Sequence, residues 1–410
     1  MHKQLINALH PPAKIGIIGG GQLGKMAVIE AKRMGYYVTV LDPNPTSPAG
    51  QVADHQIVAS FSDAIAIREL VASSDVSTYE FEHIDAATLE SLELEGYAIY
   101  PSGSTLKNIQ DKYVQKKLLK EMGIPVPDFY PVPNYLELLN CADILGFPFV
   151  VKFRRGGYDG KGNFIVHEAC QLKELESHAE KELLMAEQFI DFDRELSVVT
   201  ARSVDGQFKL FPIAENVHEQ SILRLTRVPA DISWNVKQNI DAICKKVLDG
   251  LQDCGVFCIE LFLSRNGRVY INEIAPRPHN SGHYSIEACV TSQYEQLIRI
   301  ITRLPLGSCK LRSPCVMVNI LGNETTIGDY TFNGFEKVLD VEDLHLHIYG
   351  KQKSGYLKKI GHVTALDDSI MAAEQKCLDA LNKIKISSVH ERNNLCEGVY
   401  KNVCRNNHGQ

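Results

Sequence analysis

The sequence predicts a multidomain chain of mixed α/β and α+β class, with a doubly wound parallel sheet first and a small β-rich domain last. Three observations carry this. The chain has 410 residues, more than one hydrophobic core ordinarily organises. Residues 14–110 alternate short apolar runs with helical spacing, the pattern of strands joined by crossover helices. From Glu195 onward strand patterns dominate, and Cys315 to Ile370 is again β-rich.

Taken in order, Lys14–Ile18 is an apolar strand, Gly19–Gly24 a glycine loop, and Gln22–Met34 carries helical spacing. Tyr37–Leu41 is a second strand, closed by Asp42-Pro43-Asn44-Pro45. Further strands are expected at Gln56–Val58, Val76–Tyr79 and Ile99–Tyr100. A helix over 111–124 is stopped by Gly123 and Pro125. Strands at Phe149–Phe153, Asn163–Val166 and Leu183–Phe189 follow, with a polar helix before the last. A helix near Val236–Cys254 interrupts the strands of Glu195–Ile274, and helical spacing returns at Ser285–Arg303. The expected divisions are 14–110, 111–190, 191–310 and 311–388, with a polar, asparagine-rich tail over 389–410.

Composition excludes several classes. With 44% hydrophobic and 23% charged residues and a net charge of −7, the chain reads as globular and not as a general nucleic-acid binder. No apolar run reaches the roughly 20 residues that span a bilayer, and Met1 to Lys14 lacks a secretory signal. Eleven cysteines are scattered from Cys141 to Cys404 without a CxxC pair, as expected of buried apolar residues in a reducing cytoplasm. Cys254 and Cys258 alone do not close a zinc site.

Two glycine loops carry chemistry. Gly19, Gly21 and Gly24 fit G-x-G-x-x-G between a strand and a helix, and Asp42 ends the next strand. Alone this is a dinucleotide fingerprint, with amides facing an anion and an acid facing a ribose. The preferred reading is another phosphorylated ligand on the same helix end. A plain tight turn is the remaining alternative. The second loop follows Val150-Val151-Lys152 and runs Arg154-Arg155-Gly156-Gly157-Tyr158-Asp159-Gly160-Lys161-Gly162. Its glycines permit a loop whose amides close on phosphates. Lys152 and Lys161 supply charge where a γ-phosphate is transferred.

Val256–Leu263 and Val269–Ile274 flank an Asn266-Gly267 turn signal. A two-residue turn there makes Glu260 and Glu273 direct cross-strand partners. Two carboxylates so placed among apolar neighbours share a proton or bind a cation. Hard oxygen ligands beside phosphates favour Mg²⁺.

A strand lysine, a glycine loop and Glu…Asn-Glu on adjacent strands together resemble an ATP-grasp ligase. Further stretches narrow the resemblance to the carboxyaminoimidazole ribonucleotide synthetases: Gly20–Gly24, Thr78-Tyr79-Glu80-Phe81-Glu82, Gly156–Gly162, Asn272–His283 and Lys359-Ile360-Gly361-His362-Val363. The resemblance runs from about residue 14 to about 385 and implies a Rossmann-like preATP-grasp domain, two ATP-grasp subdomains and a β-rich C-terminal domain. It implies an ATP site of Lys112, Lys152, Gly157, Tyr158, Asp159, Gly160, Lys161, Gly162 and Asn163. Glu187, Gln188, Phe189 and Ile190 line the adenine edge, largely through backbone groups. Glu195 holds the ribose, His218 contacts the nucleotide, and Glu260 and Glu273 bind Mg²⁺ (or Mn²⁺) beside Asn272. Aminoimidazole ribonucleotide sits against Gln22, Tyr158, Asp159 and Arg277, with its phosphate near Lys351 and Lys359.

The implied chemistry is phosphorylation of bicarbonate by ATP, then carboxylation of the substrate amine directly or through released CO₂. Asp159 is the candidate base, Arg277 the stabiliser of the anionic intermediate, and Lys161 a catalytic cation. In relatives Arg-Pro-Gly-Arg-Lys precedes the final Gly-His. Here Ser354-Gly355-Tyr356-Leu357-Lys358-Lys359 offers point charges without the bidentate fork. A homodimer is expected, with a separate mutase, since the residues beyond the resemblance are too few to encode one. The Tyr-Asp-Gly-Lys-Gly loop and the Asn-Ser-Gly-His run weigh against a formate-using glycinamide ribonucleotide transformylase. An NAD-dependent dehydrogenase lacks a recognisable catalytic set. Lys152, Glu260 and Glu273 weigh against a nonenzymatic nucleotide-binding subunit.

Overall fold

The computed structural model describes residues 7–157 and 162–388. Readings placed on Tyr158, Asp159, Gly160, Lys161 and the tail after Ser388 lie outside them. The chain divides after Arg312 into two compact units.

The first unit opens with a four-stranded parallel sheet in the order His55–Ile57, Tyr37–Leu41, Lys14–Ile18, Val76–Tyr79. Ile15, Ile17, Ile18, Val38 and Val40 are wholly buried, as the central strands of a sheet covered on both faces require. The helix Gln22–Arg33 follows the glycine loop. The strand expected at Ile99–Tyr100 shrinks to one bridge, Ser77 to Ile99, because Pro101 has no N–H with which to continue a ladder. Helices Ala64–Ala72, Ala86–Leu94 and Gly103–Gln110 start at side-chain caps from Asp63, Asp85 and Ser102.

Next comes a four-stranded antiparallel sheet, ordered Phe129–Val132, Leu184–Gln188, Phe149–Phe153, Asn163–Val166. Helix Tyr135–Leu145 covers it through Leu138, Cys141 and Ala142. A larger antiparallel sheet runs Val269–Ala275, Gly255–Ser264, Phe192–Arg202, Ala214–Glu219, Ile222–Val228. Helix Trp234–Leu251 buries Ile240, Ile243, Cys244, Val247 and Leu248 against its Phe257, Ile259, Leu261 and Ile271.

The hairpin corrects the sequence argument while keeping its result. The turn is not a two-residue one: Ser264 N–H donates to Arg268 O at 2.9 Å, and Gly267 takes φ +80°. Leu263 therefore pairs with Val269, one residue off the predicted register. A bulge at Asn272 adds the missing residue back, and Glu260 faces Glu273 as predicted.

The second unit has strands ordered Cys315–Leu321, Lys359–Leu366, Leu344–Ile348, all antiparallel. Helix Ile370–Lys383 buries Ala373, Cys377 and Ala380, and Cys377 Sγ lies 3.2 Å from Val316 O. Among the described residues nine cysteines are free, all but Cys170 buried, and burial pushes the Cys254 thiol up to about 12. No described helix is long and apolar enough to cross a membrane.

Candidate active site

Two amides of the first glycine loop already have partners within the chain. Gly20 N–H donates to Asp42 Oδ2 at 2.8 Å and Gly21 N–H to Glu80 Oε1 at 2.7 Å. A Cβ on Gly20 would lie 2.8 Å from Asp42 Cβ, and one on Gly19 2.6 Å from Glu80 Cγ. The glycines thus admit two internal carboxylates to the helix N-terminus, where a ligand phosphate would otherwise sit. The Gly20 and Gly21 amides are thus satisfied within the chain, which weighs against the dinucleotide reading. Gln22 remains as the first residue of the helix.

The two antiparallel sheets meet through buried lysines. Lys152 is the penultimate residue of the strand Phe149–Phe153, and its Nζ lies 3.1 Å from Asn272 Oδ1 and 3.3 Å from Glu187 Oε2. Glu187 is 2% exposed and also takes Lys116 Nζ at 3.3 Å. Burial pushes Glu187 up, but the two ammonium groups overcome this and hold it below the usual carboxylate range. The same burial lowers Lys116 to about 8. The Glu187 side chain therefore serves the lysines, and its backbone sits between strands Phe129–Val132 and Phe149–Phe153. Gln188, Phe189 and Ile190 lead the chain out of that sheet.

Lys112 starts the helix Lys112–Glu121 and forms an ion pair with Glu273. Its neighbour Asp111 caps that helix and receives Arg154 Nη2 at 2.7 Å and Nε at 3.0 Å. Arg154 roots the second glycine loop, so the helix start and the loop base are tied together. Gly162, at the far end of the loop, takes φ +84°, and a Cβ there would lie 2.5 Å from Phe153 Cδ2. Gly157 and Gly162 flank the undescribed residues, and Asn163 starts the next strand.

The carboxylate pair behaves asymmetrically. Burial and then the charge of Glu273 push Glu260 above the usual carboxylate range. Burial also opposes ionisation of Glu273, but Lys112 outweighs it and holds Glu273 below that range. His279 Nε2 stands 3.5 Å from Glu260 Oε1. Among the described residues no three His, Cys, Asp or Glu side chains gather as a metal cage. Two facing carboxylates short of ligands suit Mg²⁺, which completes its shell with water and phosphate oxygens. On the adjoining strands Glu195 Oε2 meets His218 Nδ1, and His218 sits at a bulge.

Arg277 reaches the parallel-sheet domain, with Nη2 2.9 Å from Glu82 Oε1. In the second unit Lys359 begins its strand, and Lys351 Nζ stands 5.6 Å from the Tyr349 ring centre. The segment before Lys359 turns through Leu357 at φ +57°, with Leu357 N–H donating to Gly322 O at 2.9 Å. Sequence reasoning assigned no role to Asp111, Gln115, Lys116, Glu80, Glu82 or His279. The signal for Glu80 and Glu82 was their place directly after strand Val76–Tyr79, in the Thr78–Glu82 stretch that carries the resemblance.

Two sheets joined by a lysine–carboxylate lattice, with a glycine turn leaving one of them, define an ATP-grasp ligase. The ATP-grasp domain family matches residues 117–294, the ribonucleotide synthetase preATP-grasp domain 12–110, and the phosphoribosylaminoimidazole carboxylase C-terminal domain 315–376. The N5-carboxyaminoimidazole ribonucleotide synthase of Bacillus subtilis is 42% identical over 89% of this chain and 93% of its own length. The chain belongs to the N5-carboxyaminoimidazole ribonucleotide synthase family, ATP-dependent ligases of purine biosynthesis. The synthetase structure from Thermotoga maritima superposes with a TM-score of 0.84 at 46% identity, covering 92% of this chain and 99% of that one. The Aspergillus clavatus synthase, in complex with ADP and 5-aminoimidazole ribonucleotide, gives 0.83 at 32%, covering 90% and 98%.

Proposed function

We propose that the chain carboxylates the amine of 5-aminoimidazole ribonucleotide, using ATP and bicarbonate and releasing ADP and phosphate. The observation that carries this is the lattice in which Lys152, Asn272 and Glu273 from two sheets converge with Lys112 from the helix Lys112–Glu121. ATP phosphorylates bicarbonate; phosphate then leaves, and the amine nitrogen bonds to the carboxyl carbon, of the acyl phosphate directly or of the CO₂ it releases, and gives up a proton. Lys152 and Lys161 balance charge on the transferred phosphoryl group. Glu260 and Glu273, with Asn272 beside them, would hold Mg²⁺ or Mn²⁺, which when bound draws phosphate charge. Lys112 keeps Glu273 ionised for that task.

Gly157–Asn163 closes on the phosphates and excludes water from the labile acyl phosphate. Glu187, Gln188, Phe189 and Ile190 line the adenine edge, largely through backbone groups, Glu195 holds the ribose, and His218 contacts the nucleotide. Asp159 accepts the amine proton. Arg277, held by Glu82, stabilises the anionic intermediate, and Gln22 and Tyr158 contact the substrate. Lys351 and Lys359 are assigned the substrate phosphate on the resemblance of their segment. A cytoplasmic homodimer and a separate mutase acting on the product complete the reading.

Conversion of Asp159→Asn tests the base. ADP binding persists and carboxylation falls by roughly 100-fold or more; unchanged carboxylation removes the assignment.

A further inference from the structure

The bulge at Asn272 lies on an edge strand: in its sheet, Val269–Ala275 pairs with Gly255–Ser264 and ends the strand order. Its outer peptide groups need partners from elsewhere. Along an unbroken antiparallel strand such groups recur at every second residue. Here they fall on Ile271 and Ile274, three apart. Ile271 N–H donates to Pro125 O at 3.0 Å, and Ile271 O accepts from Lys116 Nζ at 2.9 Å. Ile274 N–H donates to Gln115 Oε1 at 2.9 Å, and Ile274 O accepts from Gln115 Nε2 at 3.1 Å.

Both side chains are almost wholly enclosed, Gln115 at 3% and Lys116 at 2% exposure. With Lys112 they occupy positions i, i+3 and i+4 on one face of the helix Lys112–Glu121. That face therefore holds Ile271, Glu273 and Ile274, while Lys152 holds Asn272. The spacing it reads exists only in the bulged strand. Without the bulge the register at Leu261 and Ile271 would continue, Asn272 would face Glu260, and Glu273 would turn to the other side.

We propose that Gln115 and Lys116 are positioning residues that select the bulged register of Val269–Ala275 and so present Glu273, not Asn272, opposite Glu260. The inference rests on the reading of Glu260 and Glu273 as the Mg-nucleotide pair. Neither Gln115 nor Lys116 touches substrate in that reading; they act through the strand.

The test uses the full chain with Gln115→Leu, Gln115→Glu, Lys116→Met and, as a control, Glu273→Gln. ADP affinity is measured by calorimetry with and without Mg²⁺, and hydrogen exchange over 269–275 by mass spectrometry. Gln115→Leu is expected to speed exchange there and to weaken ADP binding in Mg²⁺ by roughly tenfold, leaving Mg²⁺-free binding unchanged. Gln115→Glu keeps the acceptor for Ile274 N–H and loses less. If Gln115→Leu does not fold, Lys116→Met is judged by the same criteria. A wild-type Mg²⁺ increment in the Gln115 and Lys116 variants, alongside its loss in Glu273→Gln, overturns the positioning role. Retention of the increment in Glu273→Gln instead overturns the reading of the carboxylate pair.

Discussion

Single side chains in this protein carry more than one charge balance. Glu187 stands between Lys116 and Lys152 in a region from which water is nearly excluded. Removing the acid leaves two enclosed cations facing each other. Glu187→Leu is therefore expected to cost about 3–5 kcal/mol, read from urea denaturation; a loss below about 1 kcal/mol would mean the lysines find other partners. Glu80 gives a pH signature. Burial raises its carboxyl from 4.5 to about 7, against the opposing Gly21 N–H and Arg277. The folded protein then keeps a proton that the unfolded chain releases, so this contribution is full below 4.5 and is lost as pH rises through about 7. Glu80→Gln removes the titration, and the variant's Tm relative to wild type should climb between about pH 5 and pH 8. A flat difference would show that Glu80 ionises normally.

Elements are held by caps whose roles extend into the site. Asp111 accepts Tyr113 N–H at 3.1 Å and Val114 N–H at 3.2 Å, and also binds Arg154. Asp111→Ala should lose about 1–2 kcal/mol for the cap alone, and more because Arg154 loses its partner. Asp111→Asn, which can still cap, should recover most of the stability but little of the ATP affinity. Equal recovery of both would separate the loop base from nucleotide binding. At this scale the sequence was legible where a local pattern decides the structure. Val76–Tyr79, Phe149–Phe153 and Asn163–Val166 fall where predicted. Glu260 opposite Glu273 was legible through an argument wrong in both of its steps, since a longer turn and a bulge offset each other. The turn is closed locally, but the strand around the bulge is held by Gln115 and Lys116, more than a hundred residues away in sequence. The same distance hid the lysine lattice.

Across the whole molecule, the first glycine loop is tied to the rest of the parallel-sheet domain by two acidic side chains. Asp42 and Glu80 satisfy the Gly20 and Gly21 amides from within the chain. The protein should accordingly give no fluorescence enhancement with NADH at concentrations where ADP binds; clear NADH binding would reopen the dinucleotide reading. The family matches extend over the parallel-sheet domain, the ATP-grasp region and the C-terminal unit. The reaction was legible because the second glycine loop and Asn272–His283 are contiguous in sequence. The most direct test follows isotope from labelled bicarbonate into acid-labile product, with ADP release, in the presence and absence of 5-aminoimidazole ribonucleotide. Label incorporation matched one-to-one by ADP, and dependent on that ribonucleotide, is the predicted result. ADP release without incorporation, or incorporation that formate replaces, would contradict it.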